Sequence, residues 1–438
     1  MSGVDGLLAT GTFGSGVFPV SGAGELMLWY PRKAAFRAGS AGQVAWNDLD
    51  FGDYSVAFGI ETFASGEGSI AAGRGSFALG DNSTAMGLLA FALGYTSTAM
   101  GNNTAAVGMG STAMGEFSSA GGNYSTAIGS HTMANGEGST AMGEYTSTTG
   151  SGSTALGSNT SADGSFSTAL GFATVASGNS STALGSGTTA SANFSTAMGS
   201  DTIASGLFST AMGSSTTASG QFSTSHGEGT KAESYSCTAL GRFNVGGGNA
   251  NTIIASDPIF EIGIGTGNGT RNNAMTVLKN GNVGIATTTP GFTLEVNGTA
   301  HRADNSPSWT VTSDARLKKN IHTLEHSLET LLSLHGVSFE YKDPKSVGVR
   351  RGFIAQEVEK VIPEWVEDGP DGFKRLTVTG FEALAVEAMR TLHQQNEKLA
   401  GEMKNLKTTN ESIKTENAEL RARLERIEAA VMQANRSR

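Results

Sequence analysis

The sequence predicts a mainly β fold: a parallel β-roll of stacked coils over about residues 51–250, then a C-terminal α+β segment that ends in a parallel coiled coil. Three observations carry this reading. The pentamer S-T-A-(M/L/I)-G or a close variant begins at Ser55, Ser69, Ser76, Ser83, Ala90, Ser97, Thr104, Ser111, Ser118 and Ser125, then every fourteen residues from Ser139 to Cys237. Every start equals 55 plus a multiple of seven, and the first and last differ by 182, or thirteen fourteen-residue units. Glycine is abundant at 61 of 438 residues, yet only 8 prolines occur and none lies between Pro31 and Pro258, as a continuous backbone ladder requires. Finally, the charge breaks at residue 313. Residues 1–312 hold 9 Lys+Arg and 19 Asp+Glu, the whole net charge of −10, whereas residues 313–438 hold 20 of each.

A seven-residue period also suits a coiled coil, but a glycine closing almost every pentamer would cost a helix about 1 kcal/mol each time. In a strand, alternation sets Thr and the Met/Leu/Ile position on one face and Ser and Ala on the other. The bulkier face, with Met86, Met100, Leu156, Leu170, Met198 and Met212, is expected to fill the interior, and glycine to turn the corner. His226 then takes an inward position and Cys237 the first serine slot, both as packing substitutions. Thirteen coils at ~4.8 Å per strand give a rod on the order of 60 Å. Each coil buries little, so several chains are expected to share the core, with threefold packing as the natural closure. Calcium binding lacks its GGxGxD nonapeptide, and ice binding is disfavoured because the regular threonines are expected to point inward.

Units such as STAMGSDTIASGLF, Ser195 to Phe208, resemble the head repeats of YadA-like trimeric autotransporter adhesins. That resemblance implies a trimeric left-handed parallel β-roll. Residues 1–50 lack the repeat and concentrate Phe13, Phe18, Trp29, Tyr30, Phe36 and Trp46, with Arg32 and Arg37; they read as a cap over the first coil or a recognition segment, the cap being favoured. Residues 251–312 read as a β-rich connector with turns at Asp257-Pro258, Gly267 to Gly269 and Asn280-Gly281. Within it, NGNVGIATTTPGFTLEVNG resembles a short β module of fibre proteins in which NVGIGTTTP is usual, Ala286 standing where that pattern has glycine.

At the composition break, Ser313-Asp314-Ala315-Arg316-Leu317-Lys318-Lys319-Asn320-Ile321 is followed by Gly352-Phe353-Ile354-Ala355-Gln356-Glu357-Val358. These two motifs in this order resemble the C-terminal intramolecular chaperone autoproteases of the endosialidase tail-spike type, over about residues 313–438. The resemblance implies self-cleavage between Thr312 and Ser313 by a serine–lysine dyad, Ser313 as nucleophile and Lys318 as base. Lysine serves as a base only when burial or neighbouring cations lower its pKa, and Arg316 and Lys319 flank it. Read without the resemblance, a serine five residues before a lysine carries no signal. A chaperone that trimerises without cutting is the alternative.

Residues 313–390 are thus expected to form the chaperone domain and 391–438 the coiled coil. Leu392, Leu399, Leu406, Ile413, Leu420 and Ile427 recur every seven residues, with Asn396, Met403, Asn410, Asn417, Leu424 and Val431 in the complementary positions. His322 and His326, four apart, could share a helix face, read here as solvated. GIGTGNG near Gly263 lacks the helix that a dinucleotide fingerprint needs.

The acidic, charge-poor front carries no basic stripe for nucleic acid, and no apolar run approaches the ~20 residues of a membrane span. No Lys or Arg precedes the first apolar residues, so no secretory leader is expected within this chain. No cofactor or metal is expected, and one cysteine forms no internal disulfide. The partners implied are further copies of the chain, as a homotrimer, and a cell-surface or glycan ligand. The whole reads as an extracellular fibre or adhesin, at a bacterial surface or secreted, with a phage tail fibre or other virion component as the alternative. A glycan-degrading spike would need a catalytic domain that residues 1–312 do not show.

Overall fold

A computed structural model describes residues 8–18, 22–298, 300, 313–342, 348–369 and 372–436. The chain divides into two units, Met1–His301 and Arg302–Arg438. The first is a mainly β solenoid.

The two halves of each fourteen-residue coil differ. One half forms a five-residue strand, from Val56–Ile60 through to Thr238–Arg242, and the other a two-residue strand, from Phe63–Ala64 through to Lys231–Ala232. The long strands pair in parallel with identical residues in register: Thr154 faces Thr168, Ala155 faces Ala169, Leu156 faces Leu170 and Gly157 faces Gly171. The short strands make a second parallel sheet of thirteen. Bonds run from coil to coil, as in Val56 N to Ser69 O at 2.9 Å and Phe63 N to Ser76 O at 2.9 Å.

The interior belongs to the small residues, which reverses the expected facing of the strands. Alanines of the long strands, such as Ala57, Ala113 and Ala169, and of the short strands, such as Ala64, Ala120 and Ala176, are 0% exposed. Serines that open the long strands are buried as well; Ser69 Oγ donates to Gly66 O at 2.7 Å and Ser153 Oγ to Gly150 O at 2.6 Å. Met86 (39%), Leu170 (41%) and Leu184 (38%) lie on the outer face instead. The physical reason is the tightness of the coil: fourteen residues close two sheets around a gap that a methyl or hydroxymethyl group fills. The strand threonines share the outer face, so the inward threonines invoked against ice binding are also corrected. His226 is exposed on that face, while Cys237 is buried in its serine slot.

The pentamer glycine sits inside the long strand rather than at a corner. Gly157 has φ +127, and a Cβ there would lie 1.9 Å from the carbonyl oxygen of Gly171, so a side chain would force the coils apart. Corners are turned instead by residues in the left-handed region, several of them aromatic: Phe194, Phe208 and Phe222 have φ of +57, +56 and +57. Their rings stack along the rod at 4.8 and 5.2 Å between centroids, contacts worth about 0.5–1.5 kcal/mol each that offset the unfavourable backbone.

Both ends of the roll are closed by side chains that stand in for a missing coil. At the start, β1 (Gly22–Tyr30) and β2 (Ala35–Trp46) form an antiparallel hairpin, and β2 pairs in parallel with Val56–Ile60. Trp46 Nε1 donates to Thr62 O at 3.1 Å, the carbonyl that a preceding short strand would have engaged. Arg37, fully buried, donates to Ala64 O at 2.7 Å and Ser55 Oγ at 2.9 Å and lies over the Phe51 ring at 4.1 Å. Burial lowers its pKa to about 10, which leaves it charged at neutral pH. Tyr30, Trp46 and Phe51 are buried around it with Phe18 packed against them, whereas Phe13 is exposed and stacks on Tyr54.

At the far end, the Asn244 side-chain amide plays the part of a peptide group. Its Oδ1 accepts from Lys231 N at 2.7 Å and its Nδ2 donates to Lys231 O at 2.8 Å. Glu261, buried, holds this amide and that of Asn273; burial raises its pKa while the two amides oppose the rise. The sheet continues through Pro258–Ile264, parallel to Thr238–Arg242, then turns back antiparallel as Asn273–Leu278 and Val283–Ile285. Ala286 has φ +55, which explains why glycine is the usual residue at its place in the module.

The second unit has a small core and a long helix. Helix α1 (Ser327–Leu332) packs on α3 (Phe381–Arg436), and α2 (Ala355–Val358) lies between two short hairpins in sequence, Val337–Phe339 with Arg350–Gly352 and Val366–Asp368 with Lys374–Leu376. Val358, Ile362 and Trp365 are its buried centre.

Candidate functional site

Ser313 and Lys318 come together through one tight turn. Asp314 caps the short 3-10 helix Ala315–Leu317, its Oδ1 accepting from Arg316 N at 2.8 Å, while Lys318 N donates to Ala315 O at 3.1 Å. The turn brings the chain back on itself, and Lys318 Nζ donates to Ser313 Oγ at 2.6 Å. Both residues are exposed in the single chain. Thr312, the other side of the expected cleavage point, lies outside the described residues.

Asp314 was not singled out from the sequence, although a serine-aspartate pair ahead of a short turn is a capping signal. Its carboxylate accepts three bonds from the Arg316 guanidinium, Nε to Oδ1 at 3.0 Å, Nε to Oδ2 at 3.2 Å and Nη2 to Oδ2 at 2.7 Å. That pairing holds the Asp314 carboxyl below its usual range and raises Arg316. Arg316 is therefore directed at Asp314 rather than at Lys318.

The second motif is structural. Gly352 ends a strand, Phe353 packs against the small core, Ile354 precedes α2, and Val358 is buried with Ile362 and Trp365. His322 and His326 do not share a helix face: His322 lies outside any helix or strand, and His326 adopts φ +56 as the residue that precedes α1. Along α3 the heptad residues stand out from the helix, with Leu399, Leu406 and Leu424 exposed by 56%, 71% and 60%. Among the described residues, no helix is long and apolar enough to cross a membrane.

Comparison with known proteins matches both parts of the chain. The YadA head domain repeat matches eight overlapping or adjoining segments between residues 52 and 225, and the chaperone of endosialidase family matches residues 313–367. The chain joins YadA head repeats to a chaperone of endosialidase domain. Over 106 residues it is 34% identical to the long tail fiber protein Gp37 of Enterobacteria phage K3 and, equally, of Enterobacteria phage T2. The matching stretch is 23% of this chain and 8% of each relative. The Gp37 protein of Salmonella phage S16 is 32% identical over 106 residues, 22% of this chain and 14% of that protein. YadA head repeats beside tail-fibre similarity point to an extracellular or virion location and support an extracellular fibre or adhesin.

Proposed function

We propose that this chain is the subunit of a homotrimeric extracellular fibre, used for surface attachment, whose C-terminal unit aligns three chains and then cuts itself away between Thr312 and Ser313. Trimer formation is supported by two outward-facing apolar rows on one chain: the partly exposed Met/Leu/Ile row of the long strands and the exposed heptad residues of α3. The parallel heptad brings three C-termini into phase. That matters because identical coils leave a slip of one coil nearly neutral locally.

Self-cleavage is supported by the 2.6 Å contact between Lys318 Nζ and Ser313 Oγ. In the reaction the amine takes the hydroxyl proton as Ser313 Oγ attacks the carbonyl carbon of Thr312. The Thr312–Ser313 C–N bond breaks, and the proton passes from Lys318 to the departing Ser313 nitrogen. Water then hydrolyses the ester left between Thr312 and the Ser313 side chain. The substrate is the chain itself, so the dyad turns over once. Loss of the aligning helix after assembly makes the trimer kinetically persistent.

On a denaturing gel the wild-type protein runs as two bands, and the smaller begins at Ser313 by N-terminal sequencing. Ser313→Ala and Lys318→Ala each leave one full-length band. A wild type that stays full length after assembly would show a chaperone that does not cut. The tail-fibre similarity favours a second reading, a phage tail fibre or other virion receptor-binding component. Neighbouring genes decide between the two: export genes mark the surface fibre, virion genes the tail fibre.

A further inference from the structure

We infer that His226 forms, with its equivalents from two further copies of the chain, a three-imidazole site for a divalent transition-metal ion. The inference rests on the trimeric reading above. Its starting point is the outer row of the long strands, which runs Phe58, Ala72, Met86, Met100, Met114, Ile128 and Met142, then Leu156, Leu170, Leu184, Met198, Met212, His226 and Leu240, and continues to Ile262. His226 is the single polar side chain in that row. Strand pairing seats it directly between Met212 and Leu240, so it has neither slipped out of register nor left the face.

Within one chain the imidazole is exposed and, among the described residues, has no hydrogen-bond or ion-pair partner. The adjacent charges pair with each other, Arg242 Nε donating to Glu228 Oε2 at 2.7 Å, and neither bonds the ring. If the apolar row is where copies meet, three unpartnered imidazoles are carried into a methionine- and leucine-lined interface. Burying such groups without a partner is unfavourable. Threefold symmetry supplies a partner without any further residue, because three copies of one side chain face a common axis at equal distances. Three neutral imidazole nitrogens suit zinc or a similar borderline metal, with the remaining coordination positions left to solvent. No group of three His, Cys, Asp or Glu side chains occurs among the described residues of one chain, so this site has to be assembled between copies.

The test uses the assembled protein made from the whole chain, stripped with a chelator, loaded with zinc chloride and dialysed. Light scattering gives its oligomeric state and elemental analysis its zinc content. His226→Leu restores the apolar character of the row, as Leu240 does one coil on, and is expected to remain trimeric. The wild type should hold one zinc per three chains more than H226L, and zinc should raise the melting temperature of the wild type alone. H226N serves as a second variant should H226L assemble poorly, and should lose the same zinc. Two trimeric proteins with equal zinc would overturn the site while leaving the trimer intact. A monomeric wild type would overturn the trimeric reading and the site with it.

Discussion

Along the roll, Ala57, Ala113, Ala169 and their equivalents are completely buried within a single chain, whereas along α3 Leu399, Leu406 and Leu424 are more than half exposed. The roll secures its interior by itself, through a backbone ladder that repeats every fourteen residues, and carries its larger apolar side chains on the outside. The helix has almost no interior of its own. It contributes a row of apolar side chains that a single chain leaves in solvent and that the proposed trimer would bury against other helices. Under the proposed trimer, stability within a chain and association between chains are divided between different regions, and substitutions should separate them.

The largest effect is expected in the helix. Leu406→Asp with Ile413→Asp places two charges in the heptad row, and light scattering should show loss of the trimer in the newly made protein together with a fall in soluble yield. Leu170→Asp changes one residue of a row that continues along the whole roll, and should leave the trimer in place. The reverse pattern would mean that the roll, not the helix, brings the chains together.

Next come changes inside the roll. Ala169→Leu forces a larger side chain between the sheets, and overpacking of this kind costs about 1–3 kcal/mol. Gly157→Ala puts a Cβ 1.9 Å from the Gly171 oxygen at φ +127, strain of about 1–3 kcal/mol. Gly206→Ala gives an internal control. A Cβ at Gly206 would lie 2.0 Å from the Gly220 oxygen, yet the equivalent positions one coil before and two coils after hold Ala192 and Ser234, and no left-handed φ is involved. Thermal melting should rank G157A well below G206A.

A local effect is expected at the first coil. Arg37→Met removes the donors to Ala64 O and Ser55 Oγ, but Ala64 O keeps its bond from Gly52 N and Ser55 Oγ its bond to Gly52 O, so the cost is that of the lost bonds, about 1 kcal/mol each, reduced because a buried charge also disappears. Contacts in a solenoid reach only neighbouring coils. Amide hydrogen exchange should therefore quicken near Gly52 to Ala64 and stay unchanged from Ser97 onward.

How much of this was legible in the sequence depends on which physical signal each feature left. The period, the parallel register and the break at residue 313 were plain, because a solenoid repeats its sequence as often as its backbone. Facing is not legible from bulk, because in so tight a coil the larger side chains of the long strands lie outside. A better sign was in the same rows: the positions that hold only Ala or Ser in coil after coil are the confined ones, while the row that passes from Ala72 to Phe58 to His226 has room to vary. The pairing of Ser313 with Lys318 was legible only through family resemblance, since they are ordinary residues until the Asp314-capped turn brings them to 2.6 Å. Arg37 and Asn244 left no pattern at all; their roles follow from backbone groups that only a stacked coil leaves open.

The smallest effect concerns Cys237, where a coil carries a thiol in place of the serine hydroxyl. Burial pushes its pKa up to about 12, with the nearby Glu261 carboxylate adding to the rise. A raised pKa in the folded state means that the fold favours the protonated thiol. The stability this contributes is fully present below the unfolded value of about 8.5 and is lost as pH climbs toward 12. Cys237→Ser restores the residue used by the other coils and should change the melting temperature little at pH 7. Between about pH 9 and 12 the wild type should lose melting temperature more steeply than the variant. The native thiol should also resist a thiol reagent at pH 8 and react at once in denaturant. Rapid labelling of the native protein would mean that the last coils open readily, and that the Asn244 and Glu261 closure is weaker than the Arg37 closure at the other end.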